Sequence, residues 1–178
     1  MMRTLSLALA LAAVAAAPIV LAQQVTKPTV DGVTNFAKLE TTVACAGATK
    51  ATAVPEIKKM GFASIINVRV PSEPGAEIDE TAASAKSAGI RFFNIPFSGQ
   101  APDPKVADAF LTAITTPGNE PAYIHCAAGN RAGAMWMIKR LAVDHWDTEK
   151  AYTEAAALGL TSPALKQFAI DYAQTHKR

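Results

Sequence analysis

The hydrophobic positions of this chain fall into three regimes. The first 22 residues are apolar at 18 positions and carry a single charge, Arg3. Residues 23–35 are polar, contain Pro28 and Gly32 and keep no sustained period, which predicts an extended lead-in. From Phe36 onward, short apolar runs bounded by breakers alternate with stretches of helical period. Glu40 to Ala46 reads as a first strand, Thr52 to Met60 as a helix closed by Gly61, and Phe62 to Val68 as a buried strand. Pro71 to Gly75 is a loop by composition. Asp79 to Ala88 is an Ala-rich helix stopped by Gly89, and Ile90 to Ile95 is another strand. Asp103-Pro104 joins an N-cap acceptor to a proline at the first helical position, opening a helix to about Ile114. Ala122 to His125 is the last strand. Arg131 to Val143 is a long apolar helix, Asp147 opens another that Gly159 ends, and Ser162-Pro163 opens a C-terminal one.

Strands separated by helices need crossover connections. The pattern therefore predicts one α/β domain over residues 36–178, a mostly parallel sheet of four to five strands with helices on both faces. The leading segment reads as a secretory signal peptide. Arg3 supplies its positive end, Leu5 to Ala17 its apolar stretch, and cleavage falls between Ala22 and Gln23, which makes the protein exported, periplasmic or secreted.

Composition changes this picture little. Half the residues are hydrophobic, but the leader inflates that figure, and what remains is ordinary for a single domain with a full core. The net charge is +2, part of it Arg3, and the charges are interspersed, so nothing predicts nucleic-acid binding. No later run approaches membrane-spanning length, so no membrane association is expected once the leader is removed. No cluster has metal-ligand spacing and no nucleotide fingerprint occurs, so neither metal nor other cofactor is expected. Cys45 and Cys126 are too few for a disulfide-built scaffold.

The chemistry concentrates in PAYIHCAAGNRAGAMWMIKRL, Pro121 to Leu141. Cys126 lies at the carboxyl end of a buried strand, Gly129 in a turn and Arg131 at the mouth of a helix, the edge of an α/β sheet where ligands bind. A loop entering a helix aims several N–H groups at one spot, and the helix dipole adds positive potential. That field favours both an oxyanion and a nucleophilic thiolate. Arg131 supplies a planar fork for a phosphate or sulfonate face.

At these residues the chain resembles the tyrosine- and dual-specificity-type cysteine phosphatases. It is similar in particular to the small atypical ones and to the phosphatase-like domain found beside beta-lactamase-type hydrolases. The resemblance is carried by His125-Cys126, Gly129 and Arg131-Ala132-Gly133, by Trp146 to Leu160, and upstream by GFASIINVRVPSE and GIRFFNIPF. It implies a phosphatase-like fold, Cys126 as nucleophile through a phosphocysteine, Arg131 on the phosphoryl oxygens, and the amides of Ala127, Ala128, Gly129 and Asn130 as cradle. It also implies that His125 supports the loop by hydrogen bonds; a plain strand-end histidine is the other reading of that residue.

Three departures from the family pattern leave alternatives open. Four residues separate Cys126 from Arg131 where the family has five, the length used by rhodanese-type sulfurtransferases, so a persulfide carrier on Cys126 stands as an alternative to a phosphatase. Ala132 replaces the usual hydroxyl residue. The family's acid loop reads Phe97-Ser98-Gly99-Gln100, leaving Asp103 as a weak candidate acid whose N-cap position explains it without catalysis. A non-catalytic oxyanion-binding domain is the third reading. The substrate expected is accordingly a phosphorylated or sulfur-bearing compound. Arg69 and Glu73 share the edge with Cys126 and read either as pocket-lining residues or, preferred, as a surface ion pair, while Cys45 reads as a core cysteine or a resolving thiol for Cys126.

Overall fold

A computed structural model describes residues 24–176, so the proposed leader lies outside the described residues. Six strands form one sheet in the order β1-β2-β3-β6-β4-β5. They are β1 (Val25–Thr26), β2 (Ala37–Leu39), β3 (Val43–Ala46), β4 (Ser64–Asn67), β5 (Arg91–Asn94) and β6 (Ala122–His125). The four central and far strands are parallel, and β1 and β2 run antiparallel at one edge. The helices are α1 (Val54–Lys59), α2 (Ile78–Ala88), α3 (Pro104–Thr115), α4 (Asn130–Ala142), α5 (Thr148–Ala157) and α6 (Pro163–Thr175). Among the described residues no helix is long and apolar enough to cross a membrane.

The sheet is larger than the four to five strands expected. The first predicted strand, Glu40 to Ala46, holds the turn and second arm of a hairpin whose first arm, β2, lies just before it: the chain turns at Glu40, whose φ is 43°, and Thr42 N–H closes the turn on the Leu39 carbonyl at 2.9 Å. Within the lead-in, Val25–Thr26 pairs with β2 and Val30 is buried. The later elements follow their signals. Asp103, Asp147 and Ser162 each accept a hydrogen bond from a first-turn amide of α3, α5 and α6.

Alternation along each strand splits the core in two. Ala44, Tyr123 and Ile65 face the layer holding α1 and α2, whereas Cys45, Ile124 and Ile66 face the layer of α3 to α6. Helix α4 lies inside the second layer, with Ala132 and the run Ala134 to Ile138 fully buried. The sheet order inserts β6 between β3 and β4, although β4 directly follows β3 among these strands in sequence. The loops leaving these neighbours diverge and leave a crevice at the carboxyl end of β6. Cys126 follows β6 immediately.

Candidate active site

Cys126 is 1% exposed, and its backbone N–H is bonded to the Ala46 carbonyl at 3.1 Å. The chain then passes through Ala127 and Ala128, both exposed, to Gly129 at φ 100°, a conformation that a side chain would strain. This turn brings Gly129 N–H to 3.1 Å from Cys126 Sγ. The first α4 hydrogen bond runs from Gly133 N–H to the Gly129 carbonyl, so the amides of Asn130, Arg131 and Ala132 have no intrahelical acceptor. The sulfur thus sits at the positive end of a helix that retains unspent donors.

Neighbouring loops hold this turn from outside. Ala48 N–H donates to the Ala127 carbonyl at 2.9 Å, and Asn35 Nδ2 donates to the Ala128 carbonyl at 3.2 Å. Asn130 directs its Oδ1 away from the sulfur, accepting from Thr161 N–H at 2.7 Å and Ser162 N–H at 2.8 Å. Gly133 brings α4 against the same segment: a Cβ there would lie 2.9 Å from the Leu160 nitrogen.

Arg131 is fixed on the other flank. Its Nη1 and Nη2 donate to the two oxygens of Glu73 at 2.6 and 2.7 Å, and Nη1 also donates to the Phe97 carbonyl at 2.8 Å. The end of the guanidinium is therefore occupied by protein. Its side, carrying Nε–H and the second Nη2 proton, has no carboxylate or carbonyl partner among these bonds. Cys126 lies close enough that its sulfur, after Glu73, contributes to holding the guanidinium protonated.

Glu73 corrects the expectation of a surface ion pair. Its Oε1 accepts from Arg131 Nη1 and from Val70 N–H at 2.8 Å, and its Oε2 accepts from Arg131 Nη2 and from Arg69 Nε at 3.3 Å. Arg69 is 4% exposed and also donates to the carbonyls of Pro74 and Gly75. The Arg131 hydrogen bonds, opposed by partial burial, hold the Glu73 carboxyl down at about 2. Glu73 is thus a positioning residue: the sequence places it at the ligand edge but not against its main partner, which is 58 residues away. The available signal was an acid between two prolines, Pro71 and Pro74, just past a strand end at the ligand edge.

The remaining candidates separate. Asp103 is exposed, its Oδ1 accepts from Lys105 N–H at 2.9 Å, and it does not line the 460 Å³ cavity beside Arg131. That cavity is lined by Val70, Ser72, Glu73, Ser98, Gly99 and Gln100 together with Arg131. His125 is fully buried, neither ring nitrogen has a hydrogen-bond partner among the described residues, and its ring lies 5.7 Å from that of Tyr123. The expected hydrogen-bonded support of the loop is therefore not formed by protein groups. Burial first, then the charge of Arg69, depresses its pKa to about 3. Cys45 is a free, fully buried thiol that burial, then the nearby Cys126, pushes well up. No group of three or more His, Cys, Asp or Glu among the described residues is placed to hold a metal ion.

The family model for the phosphatase-like domain of beta-lactamase hydrolase-like proteins matches residues 35–143. The chain belongs to this family. A beta-lactamase hydrolase-like protein from Agrobacterium fabrum is 33% identical over 91 residues, covering 47% of this chain but only 20% of that protein. This phosphatase-like chain thus spans about a fifth of the curated relative it matches. A Shewanella putrefaciens protein described as a DUF442 phosphatase superposes with a TM-score of 0.68 at 19% identity, over 84% of this chain and 97% of that one. The catalytic core of the PP-IP phosphatase Siw14 from S. cerevisiae, in complex with citrate, gives a TM-score of 0.65 at 19% identity, over 81% and 88%. The fold is that of the tyrosine-phosphatase-like cysteine phosphatases.

Proposed function

We propose that this phosphatase-like domain is an exported enzyme that hydrolyses phosphate monoesters through a phosphocysteine on Cys126. The observation that carries the reading is the approach of Gly129 N–H to Cys126 Sγ at the mouth of α4, beside an arginine with one face left open. Gly129 N–H donates to the sulfur, and the helix N-terminus adds positive potential at the same place. A phosphoryl group at the sulfur meets the unspent amides of Asn130 to Ala132 and the side of the Arg131 fork, donors pre-aligned for the charge that develops on its oxygens. Sulfur attacks phosphorus, the P–O bond to the leaving group breaks, and water then cleaves the P–S bond to return the thiolate and release phosphate.

The assay is nitrophenyl phosphate hydrolysis by the mature protein alongside Cys126→Ser. Phosphate release abolished by the substitution is the expected result, and release that survives it removes Cys126 as nucleophile. The mass of the protein recovered from the periplasm or medium is expected to correspond to a chain beginning at Gln23.

The four-residue loop and the absence of a hydroxyl at Ala132 favour a second reading, a sulfurtransferase with a persulfide on Cys126. Thiocyanate formation from thiosulfate and cyanide, with a gain of one sulfur on Cys126, would establish it in place of the first. Neither activity, together with protection against heating by phosphate or sulfate, would leave a binding domain.

A further inference from the structure

Breaking a P–O bond leaves charge on the departing oxygen, and a poor leaving group needs a proton donor to receive it. Glu73, Asp103 and Glu77 lie on the segments that follow β4 and β5 at this edge of the sheet, and each is already committed. Both Glu73 oxygens are filled by four donors, two from Arg131 and one each from Arg69 and Val70. Asp103 caps α3 through Lys105 N–H and lies outside the cavity lining. Glu77 accepts from Ala51 N–H at 2.9 Å and lines a different pocket, with Arg69 and Ala127. His125 is sealed beneath the loop. What faces the cavity at the position of the family's acid loop is Ser98, Gly99 and Gln100, none of which ionises near neutral pH.

Resting on the phosphatase reading above, we infer that the site selects substrates by leaving group, accepting those whose departing oxygen is stable as an anion: aryl and acyl phosphates and phosphoanhydrides, not alkyl phosphates. In the first step the Cys126 thiolate forms the S–P bond while the P–O bond breaks, and the leaving group departs as its anion and takes a proton from water. In the second, water attacks phosphorus, the P–S bond breaks, and phosphate and the thiolate are released. Over both steps one water is consumed for each ester cleaved.

The test is a series of aryl phosphates of rising phenol basicity, from dinitrophenyl to unsubstituted phenyl, followed by ethyl phosphate. Each is measured for kcat/KM and for a phosphoryl mass gain on Cys126. The expected result is a fall of at least about 10²-fold across the aryl series, the factor a general acid otherwise supplies, with no turnover of ethyl phosphate. Gln100→Asp, which returns a carboxyl to the cavity, is expected to raise the slow substrates more than the fast ones and to flatten the series. A flat series in the unmodified protein, with release still dependent on Cys126, overturns this inference and leaves the phosphatase reading intact. Failure of dinitrophenyl phosphate to label or turn over at Cys126 overturns the reading on which it rests.

Discussion

On one flank of the α4 entrance, residues 69–73 meet Arg131 with charge; on the other, residues 158–162 meet Asn130 and Gly133 with backbone and close contact. The charged flank fixes the direction of a long side chain, which has many rotamers to lose and needs a bidentate partner to hold one. The neutral flank fixes the position of the backbone, where three Asn130 contacts and a missing Cβ suffice. Orientation of the reacting donors and placement of the helix start are thus separate tasks given to separate segments, and a change on one side should leave the other readable.

The largest effect is expected from Glu73→Ala. It leaves a mostly buried guanidinium without its carboxylate and should cost about 3 kcal/mol in denaturant unfolding. It should also lower kcat/KM by 10-fold or more, on the order of the loss of one aligned charge contact. Glu73→Gln keeps the shape and should recover much of the stability while Arg131 remains poorly held. Equal activity in Glu73→Ala and the unmodified protein would show that the charged flank does not orient the arginine.

Next comes Gly133→Ala, whose methyl group would press on the Leu160 backbone nitrogen. The cost is expected to be about 2 kcal/mol, read as a lowered melting temperature, with the Arg131 contacts unchanged. A variant as stable as the unmodified protein would mean that this flank yields.

Acid sharpens the comparison through a gradual slope. His125 is neutral when folded, with its pKa held to about 3 against an ordinary 6.5, so the unfolded chain binds the extra proton. Its burial therefore costs stability as pH falls below 6.5, by about 1.4 kcal/mol per pH unit, down to about 3. Glu73 has the opposite charge logic and a lower window: its contribution is complete above its ordinary 4.5 and is lost as pH falls toward about 2. Between pH 6.5 and 5 the Glu73 latch is intact and His125 contributes this slope, which His125→Leu should flatten in urea midpoints measured across that range. An unchanged slope would assign the acid sensitivity elsewhere.

The two flanks also differ in how far the sequence discloses them. The neutral flank sits between elements with local punctuation: Asp147, Gly159 and Ser162-Pro163 mark the ends of α5 and α6, and the structure places both helices there. The charged flank is a contact between distant segments. Arg69 and Glu73 are four apart, a spacing that also suits an ordinary surface pair, and nothing local ties them to Arg131. The β2–β3 hairpin was hidden for a related reason, since its turn, Glu40-Thr41-Thr42, carries neither glycine nor proline and reads as the start of the strand that follows. Cys126, Gly129 and Arg131 were visible because strand end, turn and helix start fall within six consecutive residues.

The short loop is a hoop pinned at several points of its rim. Ala127 and Ala128 are tied by their carbonyls to Ala48 and Asn35, and Gly129 faces Gly159 with no side chain between them. Its perimeter is therefore set by the surrounding loops as much as by the count of residues in it. A fifth residue grafted between Cys126 and Arg131 would have to buckle outward between Ala127 and Ala128, the two exposed positions, unless those ties were released as well. Re-engineering the bore of this site is consequently a task for residues 35, 48 and 159 before it is one for the loop itself.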